Sequence, residues 1–458
     1  MDLLFQQIES EGLAHYSYLV GDETEAVVID PRRDADIYVR IAQEHGMHIV
    51  AVLETHRNED TVVGSLEVQR QTGADIWHAD GQLPYKYGSP VQEGQRWKVG
   101  RLQIEALHTP GHTPGSFSYL LYDAEGNPWA IFTGDALFAG DVGRVDFLGE
   151  ARIREMAEHL YDSLFGKILP LGDGVLVCPA HGAGSACGFD IAERRISTVG
   201  IEREANPRLQ HADREAFVED VGQVLDKAPY ITRMEQYNVE GAPPLGDIPT
   251  ARALSPEQFA RRLEGEDTLV VDIRSEFEFA SSHIPGSMFI FQAGLEEFAG
   301  LFVPLDARVL LVNQGGYPAD IITRLRRIGF DDIVGYLAGG MNHWLSSGRR
   351  IESTGAISVQ DVCTLLDGPG DYWLLDVRQE EELVREGAIQ GAHHIPISRI
   401  AGRIDEIPRD ENVYIFCGSG LRAAIVASIL HRAGYQEITV VLGGVRGWSS
   451  TSCPIADG

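Results

Sequence analysis

Residues 108–116 read His-Thr-Pro-Gly-His-Thr-Pro-Gly-Ser and lie between two strand-like runs, 102–107 and 117–122. Repeated Pro-Gly pairs break regular structure, so this stretch is predicted to be a loop that follows a strand and presents two imidazoles. Polar residues follow strand-like runs in the same way at three further places: 55–60, 133–135 and 178–182. Helical runs separate these strands, so we expect a mixed α/β domain with polar side chains at its strand ends.

The residue types in these loops indicate a metal site. Histidine nitrogen and carboxylate oxygen are ligands of divalent first-row metals, and two histidines with one carboxylate and open positions are typical of non-heme Fe(II) oxygen chemistry. An isolated histidine is more often a satisfied core or turn residue. We interpret His108, at the edge of its loop, in that structural way.

Length and charge limit the classes of function. A chain of 458 residues predicts two to four domains. The formal charge of −30 repels phosphate backbones and anionic lipid heads, so neither nucleic acid nor a membrane is expected as a partner. The N-terminal residues have no signal-peptide pattern, which favours a cytoplasmic protein. Five cysteines without CxxC spacing favour reduced thiols over a disulfide framework.

The second half of the chain repeats itself. Val271-Asp-Ile-Arg274 recurs as Leu375-Asp-Val-Arg378, an offset of 104 residues, and the Gly-Gly pair at 339–340 and Trp344 recur at the same offset. Each copy begins with an N-capped helix signal and alternates helices with short strands, which predicts two small parallel-sheet α/β domains. The expected domains are therefore residues 1–245, 250–352 and 355–458.

The first half resembles the metallo-β-lactamase superfamily, in its glyoxalase II and persulfide dioxygenase branch. The resemblance is carried by Ile29-Asp30-Pro31, by Pro110–Ser116, by Gly134-Asp-Ala-Leu-Phe138 and by Gly143-Arg-Val-Asp146. It implies an αββα sandwich in this half of the chain.

The first metal motif of that superfamily is HxHxDH, and here it reads His56-Arg-Asn-Glu-Asp-Thr61. Asn58 and Thr61 stand where a dinuclear zinc hydrolase needs histidines, so they argue against hydrolysis. The resemblance implies that a single Fe(II) ion per chain is held by His56, His112 and Asp135, with zinc and manganese left open as alternatives. Residues expected to support the site from outside its ligand shell are Asp60, His181 and Cys187.

The last domain contains Cys417-Gly-Ser-Gly-Leu-Arg422 between a strand-like run and a helical run. Backbone N–H groups at a helix start and the Arg422 charge favour thiolate, and glycines let the loop curl around the sulfur. This loop resembles the CxxGxR loop of rhodanese sulfurtransferases. The resemblance implies catalytic roles for Cys417, Arg422, Asp376 and Arg378, and a sulfur-binding loop of Gly418, Ser419, Gly420 and Leu421. Cys363 and Cys453 lack such surroundings and are interpreted as inert.

The middle copy has Asn313 and Pro318 at the positions of the catalytic cysteine and arginine. An amide is no nucleophile, so this copy is predicted to be a rhodanese-like domain without sulfurtransferase activity.

Together these features predict a persulfide dioxygenase coupled to a thiosulfate or persulfide sulfurtransferase, in sulfide detoxification and sulfur metabolism. Its expected partners are a small-molecule thiol persulfide, thiosulfate and O2, with a homo-oligomer left open. Two alternatives remain at this point. One is a dinuclear thioesterase of glyoxalase II type fused to a rhodanese, and the other is a scaffold or sensor domain in which only the C-terminal rhodanese is active.

Overall fold

The structure is a computed structural model that describes residues 3–211, 213–224, 228–265, 267–366, 372–448, 451 and 455–456. Cys453, which was expected to be inert, lies outside the described residues. By its contacts the chain divides into two compact units, Met1–Ile248 with Thr323–Asp331, and Pro249–Ile322 with Asp332–Gly458. No helix within the described ranges is long and apolar enough to cross a membrane.

The first unit is built on two six-stranded sheets, ordered β1-β2-β3-β4-β5-β6 and β12-β11-β10-β9-β8-β7. Its strands are β1 (Leu4–Ser10), β2 (His15–Asp22), β3 (Glu25–Ile29), β4 (His48–Leu53), β5 (Asp75–His78), β6 (Ser89–Pro90), β7 (Arg96–Val99), β8 (Leu102–His108), β9 (Phe117–Tyr122), β10 (Pro128–Gly134), β11 (Leu176–Pro179) and β12 (Ser197–Thr198). Its helices are α1 (Asp36–Glu44), α2 (Ser65–Thr72), α3 (Ile153–Ser163), α4 (Val199–Ala205), α5 (Arg214–Val221) and α6 (Ile231–Glu240).

The two sheets pack face to face, and helices cover their outer faces. The core between the sheets joins β3 and β4 to β8, β9 and β10 through Val27, Leu53, Ile104, Tyr119 and Phe132. A second core lies between the first sheet and helices α1 and α2, and a third lies between the second sheet and helices α3 and α5. This layering is the αββα sandwich that the resemblance implied, and the fold prediction is confirmed.

Residues 323–331 pack within the first unit, although they lie far along the chain from its main segment, Met1–Ile248. The Arg327 carbonyl oxygen accepts hydrogen bonds from the Val62 amide at 2.7 Å and the Thr61 hydroxyl at 3.1 Å. Its guanidinium forms an ion pair with Asp34 at 2.7 Å, and Asp331 pairs with buried Arg33 at 2.6 Å. This segment therefore holds the loop that follows β4.

The second unit contains two five-stranded sheets with the same strand order, β13-β17-β16-β14-β15 and β18-β23-β22-β19-β21, and a small sheet of β20 and β24. The strands are β13 (Arg252–Leu254), β14 (Thr268–Asp272), β15 (Met288–Phe289), β16 (Arg308–Val312), β17 (Ile333–Leu337), β18 (Gly355–Ser358), β19 (Tyr372–Asp376), β20 (Ala388–Ile389), β21 (His393–His394), β22 (Asn412–Phe416), β23 (Ile438–Leu442) and β24 (Ile455–Ala456). The helices are α7 (Pro256–Leu263), α8 (Glu276–Ser281), α9 (Leu295–Phe302), α10 (Ala319–Arg327), α11 (Gly340–Ser346), α12 (Val359–Leu366), α13 (Glu380–Glu386), α14 (Ile400–Arg403), α15 (Leu421–Arg432) and α16 (Gly444–Trp448).

All strand pairs in the two five-stranded sheets are parallel, as the repeat predicted. The predicted helix start at Ser255 is a capping box, in which Ser255 and Gln258 each satisfy the other's backbone amide. One expectation was wrong: Cys363 is disulfide-bonded rather than reduced. Spacing reveals only cysteines that are close in sequence, so it gave no sign of this bond.

Candidate functional site

The predicted metal ligands converge in the first unit, because each follows the end of a strand. His56 follows β4, His112 lies in the loop after β8, and Asp135 follows β10. Asp135 Oδ2 lies 3.7 Å from His56 Nε2 and 3.4 Å from His112 Nε2. All three side chains are buried. Within the described residues, His56 Nε2 and Asp135 Oδ2 are buried without a hydrogen-bond partner, as expected of atoms that face a metal position.

Each ring is oriented by a hydrogen bond from its other nitrogen. His112 Nδ1 donates to the Arg144 carbonyl oxygen at 3.0 Å. His56 Nδ1 lies 2.8 Å from Thr55 Oγ1, whose own hydrogen is donated to Asp30 Oδ2. Both Nε2 lone pairs are thereby left for a metal, which is the usual way in which outer groups fix ligating histidines.

Asp60, His181 and Cys187 lie beside this centre, as predicted. His181 Nδ1 donates to Asp135 Oδ1 at 2.7 Å, and His181 Nε2 lies 3.0 Å from Asp60 Oδ2. One ligand atom each of Asp60, His181 and Cys187 lies within 4.8 Å of the other two. Burial raises the pKa of the Cys187 thiol, which keeps its sulfur protonated when no cation is nearby.

Electrostatics within the centre are governed by its carboxylates. Burial acts to raise the pKa of Asp135, but His181, His56 and His112 together hold it well below its usual range. Burial acts to lower the pKa of His112, and Asp135 and Glu59 raise it overall. The buried imidazoles and carboxylates therefore balance one another's charge.

Sequence reasoning missed Glu59. Its carboxylate is buried, and Oε2 lies 3.3 Å from His112 Nε2 and 3.9 Å from His56 Nε2. The only available signal was its place inside the altered HxHxDH motif. His108, by contrast, makes a hydrogen bond with the Pro114 carbonyl oxygen at 3.1 Å and packs on Phe117.

A cavity of about 60 Å³ reaches His112 from the protein surface. Phe147, Leu148 and Leu83 line its apolar side, and Arg57 lies at its polar side. A small ligand with an apolar end fits such a lining.

In the last domain Cys417 follows β22 and is buried. Its sulfur accepts a hydrogen bond from the Gly420 amide at 3.1 Å, directly before α15. A Cβ at Gly444 would overlap the Cys417 carbonyl oxygen, so glycine is required where the next loop crosses. The loop 417–422 therefore brings one backbone donor to the sulfur, and its role as a sulfur-binding loop stays a prediction.

Arg422 stands at the same loop, held by a residue that sequence reasoning missed. Glu382 accepts two hydrogen bonds from the Arg422 guanidinium, both of 2.6 Å. Burial acts to lower the pKa of Arg422, but Glu382 and Cys417 raise it overall, so the guanidinium stays charged. The repeat offered a signal, because Glu278 occupies the matching place in the middle copy.

Asp376 and Arg378 form a buried ion pair at the end of β19. Arg378 Nη2 lies 2.7 Å from Asp376 Oδ2 and donates to the Gly387 carbonyl oxygen at 2.9 Å. The pair ties the strand end to the following helix. The catalytic role expected for these two residues stays a prediction.

Comparison with known proteins places these sites in context. The Metallo-beta-lactamase superfamily matches residues 11–181, and the Rhodanese-like domain matches 255–347 and 358–451. Persulfide dioxygenase ETHE1 of Bos taurus is 33% identical over 226 residues, which cover 45% of this chain and 76% of the relative. The chain belongs to the metallo-β-lactamase superfamily, as a homologue of its persulfide dioxygenases. Its C-terminal part carries two rhodanese-like domains.

Two further relatives of this metallo-β-lactamase chain have other descriptions. The hydroxyacylglutathione hydrolase GloC of Haemophilus influenzae is 29% identical, over 42% of this chain and 91% of the relative. A crystal structure of a metallo-beta-lactamase from Staphylococcus aureus subsp. aureus COL has a TM-score of 0.64 and 28% identity, and the match covers 74% of this chain and 98% of that one. That match reaches beyond the metallo-β-lactamase domain into the rhodanese-like part.

The first rhodanese-like domain keeps the fold of its copy without the sulfur. Asn313 Oδ1 accepts from the Gly315 amide at 3.0 Å, and Asn313 Nδ2 donates to the Gly316 carbonyl oxygen at 2.9 Å. Asp272 and Arg274 form the same buried ion pair as in the second copy. The side-chain amide thus supports a loop that the cysteine sulfur supports in the other domain.

Proposed function

We propose that the chain oxidises a low-molecular-weight thiol persulfide with O2 and transfers sulfane sulfur through Cys417. The oxidation converts RSSH, O2 and H2O to RSH and sulfurous acid, which ionises to sulfite. In the transfer, the Cys417 thiolate attacks the outer sulfur of thiosulfate, and the S–S bond breaks to release sulfite and leave a cysteine persulfide. The reverse step makes thiosulfate from sulfite, which links the two sites.

One observation carries this proposal: the residues at the two replaced histidine positions both make hydrogen bonds with groups other than the predicted ligands. Asn58 Oδ1 accepts from the Asp60 and Thr61 amides, at 3.0 Å each, and the Thr61 hydroxyl donates to the Arg327 carbonyl. His56, His112 and Asp135 remain gathered around one position, which favours a single ion.

These residues fit a ferrous ion, because His56 Nε2 and Asp135 Oδ2 are buried without hydrogen-bond partners and lie 3.7 Å apart. When bound, such an ion would supply Lewis acidity and redox chemistry with O2. The chain itself holds the imidazoles through Thr55 and the Arg144 carbonyl, and orients Asp135 through His181. Burial of the centre excludes bulk water, and the cavity at His112 admits the sulfur end of a persulfide.

At the transfer site, the Gly420 amide and the Arg422 charge stabilise a sulfur anion at Cys417. Glu382 fixes the guanidinium against the loop. The middle domain has no cysteine among residues 250–352, so we assign it a positioning role rather than chemistry.

Anaerobic purification with metal quantification, followed by an oxygen-electrode assay on glutathione persulfide, tests the proposal. We expect one iron per chain and O2 uptake that depends on persulfide. Thiosulfate:cyanide sulfurtransferase activity is the internal control, because it uses the Cys417 site and does not use the metal centre. If the iron-loaded chain consumes no O2 when persulfide is added, the proposed persulfide dioxygenase activity is contradicted.

A dinuclear hydrolase is the second candidate, favoured by the group of Asp60, His181 and Cys187 beside the centre. The relative described as a hydroxyacylglutathione hydrolase points the same way. Two zinc ions per chain and cleavage of S-lactoylglutathione would establish it in place of the dioxygenase.

A further inference from the structure

Glu59 and Asp135 occupy equivalent positions at the metal centre. Glu59 Oε2 lies 3.3 Å from His112 Nε2 and 3.9 Å from His56 Nε2. The corresponding distances from Asp135 Oδ2 are 3.4 Å and 3.7 Å. Each of the two carboxylate oxygens therefore lies within 4 Å of both imidazole nitrogens. All four side chains are buried.

The hydrogen bonds of the two rings direct both Nε2 atoms towards the carboxylates. His112 Nδ1 must carry its hydrogen, because the Arg144 carbonyl oxygen can only accept. His56 Nδ1 must also carry one, because the hydrogen of Thr55 Oγ1 is donated to Asp30. Both Nε2 atoms consequently face the two carboxylates. A divalent ion between them could bond to both nitrogens and both carboxylates, whereas a proton bridges only one of these contacts.

The chain also orients Glu59 towards the centre. Arg57 Nη2 contacts Glu59 Oε1 at 3.3 Å and Glu235 Oε1 at 3.0 Å, so the outer carboxylate oxygen is held and Oε2 is left facing inward. Asn58, the neighbouring residue, instead caps the turn with its side chain. The loop thus turns Glu59, which occupies an unspecified position of the motif, towards the two imidazoles.

We propose that Glu59 is a fourth protein ligand of the metal ion, which makes the site two imidazoles and two carboxylates. This inference rests on the single-ion site of the proposed function and adds a ligand to it. A six-coordinate ion then keeps two exchangeable positions instead of three, the number that one sulfur substrate and one O2 molecule require. Two carboxylates also neutralise the charge of a divalent ion, so the centre favours 2+ over 1+ ions.

Counting bound water on Mn(II) tests the extra ligand without any assay of turnover. The full-length chain is loaded with Mn(II), and the waters on the ion are counted by pulsed EPR in H2¹⁷O. We expect two waters in the wild type and three in Glu59→Ala. The control is Glu235→Gln, which alters the outer partner of Arg57 without touching the centre, and it should keep two.

Glu59→Gln, which keeps the shape of the side chain, guards against misfolding of the alanine variant. Its dissociation constant for Mn(II) should rise at least tenfold, while Glu235→Gln changes it less than threefold. Equal water counts in wild type and Glu59→Ala would overturn the inference while the single-ion site stands. A wild-type chain that binds two ions, or none, would instead overturn the proposed function.

Discussion

Replacement of Asp135 by asparagine separates the charge of the centre from its shape. The amide oxygen can still accept the His181 Nδ1–H, a bond of 2.7 Å in the wild type. What is lost is the negative charge that lies 3.4 Å from His112 Nε2 and 3.7 Å from His56 Nε2. The variant therefore removes the attraction for a cation and leaves the packing unchanged.

The expected magnitude follows from Coulomb's law. At an effective dielectric constant of about 20, two unit charges about 4 Å apart attract by about 4 kcal/mol. That energy corresponds to about a thousandfold in affinity. A divalent ion at the centre would lie closer to the carboxylate than this, so a thousandfold loss is the smallest change we expect.

The assay is competitive titration of Fe(II) under argon against a chelator of known affinity, with O2 uptake on glutathione persulfide measured in parallel. Asp135→Asn should lose both metal and O2 uptake. Thiosulfate:cyanide sulfurtransferase activity in the same preparation should be unchanged and serves as the control. An Asp135→Asn chain that binds iron within tenfold of wild type would refute the ligand assignment.

Three further predictions concern separate parts of the chain. Cys417→Ser should reduce sulfurtransferase turnover at least a thousandfold and leave persulfide-dependent O2 uptake unchanged when both are measured on one preparation. Sulfurtransferase turnover above one tenth of the wild-type value would contradict the role of Cys417. Burial lowers the pKa of His283 from 6.5 to about 4. The free energy of unfolding therefore keeps its full value above pH 6.5, where the ring is neutral. It decreases by on the order of 3 kcal/mol as the pH falls towards 4. Urea unfolding of His283→Gln should show a flatter pH profile, and a parallel profile would be the negative result. A Cβ at Gly143 would overlap the Asp135 carbonyl oxygen, so Gly143→Ala should lower the iron content at least tenfold. Gly444→Ala, in contrast, crowds the Cys417 carbonyl oxygen and should lower only the sulfurtransferase activity.

Repetition and motif spacing made much of this architecture predictable. The offset of 104 residues places β14 on β19 and β16 on β22, residue for residue, because the two copies have the same strand lengths. His56, His112 and Asp135 were also predictable, since each follows a strand-like run and stands at a motif position of the family that the sequence resembles. The αββα layering followed from the resemblance rather than from periodicity.

Other features depend on contacts that no local pattern encodes. In sequence, Glu59 looks like any other loop carboxylate. Its position beside the imidazoles depends on the turn that the Asn58 side chain caps. Leu4–Ser10 alternates too weakly for its sequence to predict a strand, and β1 is stabilised by its antiparallel partner β2. Residues 323–331 belong to the first unit through their tertiary contacts. Their sequence alone does not indicate this, because it matches the end of a helix in a rhodanese-like domain.

The rhodanese-like domain without cysteine supports the structure of the first unit, a role that does not depend on sulfur chemistry. Arg327 lies within its sequence match, yet the Arg327 carbonyl anchors Val62 and Thr61, a few residues from His56. A chain shortened to its first 248 residues would leave that anchor behind, and the loop bearing the first imidazole would lose its support. This copy therefore contributes to the structure of the first unit although it carries Asn313 at the position of the catalytic cysteine.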